Sequence, residues 1–107
     1  MTTEITPELE PYADLIRQIE HDNAQSAKNA GFPLHHHQYL SWAISPNGTL
    51  CALAPYIYTW AIIDDIDQGG FARRWCYADL LHAMDAQARW LKTKQKAPKD
   101  YIRAVIR

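Results

Sequence analysis

The chain has 107 residues, 48% hydrophobic and 21% charged, with four glycines and six prolines; this excludes a disordered or fibrous segment and fits one compact domain. A domain of this size buries roughly 65% of the surface its unfolded chain exposes, enough for a two-layer fold without metal or disulfide support. The net charge of −1 selects no class of partner.

Charge is unevenly spread. Residues 1–32 carry a balance of −4, residues 33–70 carry −3 and residues 71–107 carry +6. Such polarity fits a basic face that meets an acidic partner, or two ends that attract each other. No run approaches the roughly 18 apolar residues of a membrane helix. Met1-Thr2-Thr3-Glu4 lacks the basic-then-apolar profile of a signal peptide, so the expectation is a cytoplasmic chain without membrane contact. In that compartment Cys51 and Cys76 stay reduced, and Asn47-Gly48-Thr49 reads as a turn rather than a glycosylation site.

Thr6-Pro7 and Glu10-Pro11 are competing helix starts, since proline is tolerated at the first helical position. From Pro11 the apolar residues Tyr12, Leu15, Ile16, Ile19, Ala27 and Ala30 fall near helical spacing, and Gly31 is a stop. The spacing predicts a helix over 11–30, with fraying after Asn23 where the residues become small and polar. The period then changes. Leu40, Trp42 and Ile44 alternate with Tyr39, Ser41 and Ala43 as in a strand. Ser45-Pro46-Asn47-Gly48 reads as a turn and 49–53 as the return strand, ended by Pro55. Residues 58–64 supply a third strand, and Asp64 to Gly70 a polar loop with a sharp reversal at Gly69-Gly70. Tyr77, Leu80, Leu81, Met84, Ala88 and Leu91 recur at three and four residues and predict a second amphipathic helix over 78–93. Residues 101–107 alternate again and read as a last strand. The expected fold class is α+β: two helices on one face of a three- to four-stranded, mainly antiparallel sheet, in the order α-β-β-β-α-β.

Candidate chemistry is sparse. His35 and His37 share a face on a strand, with Cys51, His21 or His82 as a third metal ligand, but no Cys-x-x-Cys or His-x-x-x-His spacing supports zinc. Asp64, Asp65 and Asp67 lack the calcium-loop pattern and read as a solvated loop. Nucleophile and phosphate-loop motifs are absent, and Ser26, Ser41 and Ser45 have no acid or histidine at a diagnostic offset. Cys76 follows Arg73 and Arg74, where thiolate is favoured, yet between Trp75 and Tyr77 it reads as an inert packed residue. The sequence therefore points to no enzyme, no metal and no cofactor.

Aromatic residues are the stronger signal. Four tryptophans and six tyrosines are many for one small domain, and such residues anchor interfaces. Tyr58 and Trp60, with Arg73, Arg74, Arg103 and Arg107, form the candidate binding face; Tyr56 and Trp42 extend it. The competing reading is that these rings fill a core that has only Phe32 and Phe71.

The run Arg73-Arg74-Trp75-Cys76-Tyr77, the helix bearing Ala83, Ala86 and Trp90, then Pro98 and Tyr101-Ile102-Arg103, resemble small uncharacterised proteins of bacteriophages and prophages. The resemblance covers about a third of the chain and departs from the pattern in lacking a glycine after the helical tryptophan and a terminal Gly-Arg-Arg. It implies a phage accessory product and carries no activity with it. The expected function is a non-catalytic protein that binds a host or phage protein, for example as an inhibitor of a host defence complex such as CRISPR-Cas. A nucleic-acid-binding module using the basic C-terminal third is the alternative, a metal-dependent enzyme the weakest class, and a homodimer is compatible with any of them.

Overall fold

In the computed structural model, residues 3–33, 37–56, 59–94 and 98 are described. Both early prolines fall in one 3-10 turn, Pro7–Tyr12, because Pro11 has no N–H to give to an α-helical ladder. Helix α1 (Ala13–Ala30) follows. Its polar second half remains helical to Gly31, whose left-handed backbone (φ 72) ends it with N–H bonds to Ala27 and Lys28 oxygens.

Four strands form an antiparallel meander in the order β1 (Leu40–Ile44), β2 (Leu50–Tyr56), β3 (Thr59–Asp67) and β4 (Gly70–Tyr77). Helix α2 (Leu80–Thr93) closes the described elements, capped by Asp79 Oδ1, which accepts the His82 N–H at 2.9 Å. The fold is α+β, with one strand more before α2 than expected. The stretch from Asp64 to Gly70 is not a polar loop: β3 runs on to Asp67, and a two-residue turn leads into β4. Pro55 does not end β2, since β1 begins opposite Leu53 and no neighbour on that side needs a donor from Pro55. The expected strand over 101–107 lies outside the described residues.

The helices lie on opposite faces of the sheet, not on one. Ile16 and Ile19 of α1 pack with Leu50, Ala52, Ala54, Ala61 and Ile63. Ala83 and Trp90 of α2 pack with the alternate residues Cys51, Leu53 and Ile62. Residues 50–54 and 61–63 are consequently buried throughout.

β1 breaks its own alternation. Ser41 has a left-handed backbone (φ 54), and the pairing shifts between Leu40↔Leu53 and Ala43↔Cys51, as in a β-bulge. Leu40 and Ala43 therefore belong to the α2 layer, whereas Trp42 and Ile44 belong to the α1 layer.

Candidate functional site

Two internal contacts fix how α2 is turned. Trp90 meets Trp75 edge-on, with ring centroids 5.3 Å apart. Gln87, buried, donates its side-chain N–H to the Ser41 main-chain oxygen at 2.9 Å. With Ala83, Gln87 and Trp90 turned inward, Leu81, Met84 and Ala88 face out. Leu81 is 75% exposed and Met84 45%. The sequence pattern placed both in the buried stripe. Adjacent residues on a helix sit about 100° apart, so Leu80 and Leu81 cannot share one narrow face; that excess width was the available signal.

Next to this ridge a groove of about 600 Å³ crosses the β1 edge. Leu9, Trp42, Ile44 and Leu91 supply apolar walls, and Glu8 and Lys94 supply opposite charges. Glu8 Oε1 accepts the Ile44 N–H at 3.3 Å, which occupies a donor of an edge strand.

The arginines of the expected binding face are engaged internally. Arg73 Nε lies 3.1 Å from Asp64 Oδ2, and the Asp64 side chain is fully buried. That carboxylate also accepts from Asn47 Nδ2 at 3.0 Å and Thr49 Oγ1 at 2.7 Å. Burial pushes the Asp64 carboxyl up, but hydrogen bonds from Asn47, Thr49, the Asp65 backbone and Ser45 outweigh it and hold the group below the usual carboxylate value. Its lone pairs are committed to turn and strand donors, an arrangement that clasps the β1–β2 turn to β3 and β4. Arg74 Nη1 donates to the Tyr56 hydroxyl at 2.7 Å, with its guanidinium carbon 4.4 Å from that ring's centroid.

Trp60, opposite Tyr77, is partly buried in the α2 layer. Tyr58, Arg103 and Arg107 lie outside the described residues, as does His35. The structure thus brings Trp60 to one face and Arg74 with Tyr56 to the other, so they do not form one surface. His37 stacks on Phe32, with centroids 6.2 Å apart. Asp65 is exposed with left-handed backbone (φ 56), and Asp67 Oδ1 accepts the Gly69 N–H at 2.8 Å. Among the described residues no group of three His, Cys, Asp or Glu side chains could hold a metal ion. Cys51 and Cys76 are buried in opposite layers, and burial is the main cause that pushes the Cys51 thiol up to about 12. No helix among the described residues is long and apolar enough to cross a membrane.

Comparison of the chain with protein-family models, curated proteins and solved structures gives no match.

Proposed function

We propose that this chain is a non-catalytic accessory protein of phage or prophage type that works in the cytoplasm by binding a host or phage protein, for instance a subunit of a host defence complex such as CRISPR-Cas. The observation that carries the protein-binding reading is the exposure of Leu81 and Met84 one turn apart on α2. Covering a large aliphatic side chain is worth about 1.5–3 kcal/mol, so this ridge is the cheapest surface on the described molecule to desolvate. Arg73 is neutralised by Asp64 and Arg74 is held by Tyr56, which favours protein over nucleic acid as the partner.

The test is affinity capture from bacterial lysate, with and without nuclease, comparing the wild-type protein with Leu81→Asp. A stoichiometric protein that survives nuclease and is lost with Leu81→Asp supports the reading. Nucleic acid bound equally by both proteins overturns it in favour of the basic C-terminal third.

A further inference from the structure

The kind of partner can be read from the ridge itself. Leu81, Met84, Ala88 and Leu91 follow one another at intervals of three, four and three residues, the spacing by which one helix receives another along a seam. Leu81, Met84 and Ala88 are exposed, and Leu91 descends into the groove beside β1. At about 1.5 Å rise per residue the steps along this line are about 4.5, 6 and 4.5 Å. A facing helix repeats those steps. An extended strand presents one side every 6.5–7 Å or so and falls out of register within two contacts. Ala88 is the small member of the row, a recess between Met84 and Leu91 that accepts a large side chain from the facing helix.

Charge narrows the choice further. Lys92 and Lys94 stand at the C-terminal end of the ridge with no ion-pair partner among the described residues, while Asp85 on the same flank is taken by Arg89. The uncompensated charge of the seam is therefore positive. A second copy of α2 fits this poorly. Antiparallel pairing of the ridge brings both Asp85 side chains beside the two-fold axis, and parallel pairing gathers the lysines of both copies at one end.

We propose that the α2 ridge receives an amphipathic α-helix of another protein, apolar at three- and four-residue intervals and acidic where it passes Lys92; this rests on the protein-binding reading above. The probe is a display library of random peptides of about 20 residues, enough for a helix of about 30 Å. It is selected on the wild-type protein and counter-selected on Leu81→Asp, with Met84→Lys as a second variant should the first lose its native circular dichroism. Enriched peptides are expected to repeat apolar residues at three and four with Asp or Glu on one flank. A synthetic representative should lose about tenfold or more in affinity on Leu81→Asp, and about threefold on Lys92→Glu. Enrichment of peptides alternating at two residues, or no ridge-dependent enrichment, overturns the proposal. Self-association in sedimentation that Leu81→Asp abolishes also overturns it, by making a second copy the occupant. If lysate capture depends on Leu81 while no helical pattern is selected, protein binding stands and the helical partner falls.

Discussion

The side-chain amide of Gln87 on α2 donates to the main-chain oxygen of Ser41 on β1, 2.9 Å away. A polar residue deep in an otherwise apolar layer thereby meets the carbonyl beside the bulge. Gln87→Ala removes that donor and leaves the buried oxygen short of a partner, at an expected cost of about 1–3 kcal/mol. Urea denaturation reads the change; an unchanged midpoint would show that water replaces the amide.

The left-handed backbone of Ser41 (φ 54) gives a second expectation. Glycine adopts that conformation freely and a β-branched residue does not. Ser41→Gly is expected to match the wild type within about 0.5 kcal/mol, and Ser41→Val to lose about 1–2 kcal/mol. Equal stabilities would remove the strain argument.

Asp64 makes acid stability a local matter. Its folded carboxyl titrates below the ordinary value, so between the two values the unfolded chain binds more protons and stability rises with pH. The contribution is fully present above about pH 4 and is lost as pH falls through the depressed folded value. Asp64→Asn should flatten the acid limb of a plot of unfolding free energy against pH. Asp64→Ala should cost about 3 kcal/mol near neutrality; that figure is the low end of the range for broken buried pairs because Arg73 is 39% exposed.

Cys51 works in the opposite direction. Its folded thiol is raised to about 12, against about 8.5 in an unfolded chain. The stability this provides is complete below about 8.5 and declines as pH rises toward the folded value. Native protein should react slowly with a disulfide reagent at pH 8 and fast once denatured, and Cys51→Ser should remove part of the alkaline loss. Rapid reaction of Cys51 in the native state would contradict the burial.

Trp90, wholly buried against Trp75, is expected to cost about 3–5 kcal/mol when changed to alanine. Trp60 is only partly buried in the same layer, so its alanine variant should cost visibly less. A reversed order in thermal denaturation would mean that Trp60 anchors the layer.

The helices, their ends and the Ser45–Gly48 turn were legible because each rests on a local signal: prolines at entry, Gly31 at exit, and the Gly48 N–H returning to the Ser45 oxygen at 2.9 Å. The sheet was less so. Leu50 to Ala54 and Ala61 to Ile63 are unbroken apolar runs, which report burial on both faces and hence helices on both. Alternation in β1 predicted one inner face, and a bulge that no residue type announces divided it between two layers. The same limit applies to the site. Asp64 looks like a loop acid until the register places Arg73 opposite it, and Leu81 and Met84 look buried until Gln87 and Trp90 fix the rotation of α2. Those facts depend on pairings distant in sequence.

Placing the two helices at opposite ends of the described chain, on opposite faces of one meander, orders the events of synthesis. α1 is made before any strand exists to receive Ile16 and Ile19, whereas the strands that follow can zip hairpin by hairpin through neighbouring contacts. The face bearing Cys51, Leu53 and Ile62 stays uncovered until Trp90 has left the ribosome. For that interval the nascent sheet is a one-sided apolar plate, and α2 is the element that ends its exposure to other chains.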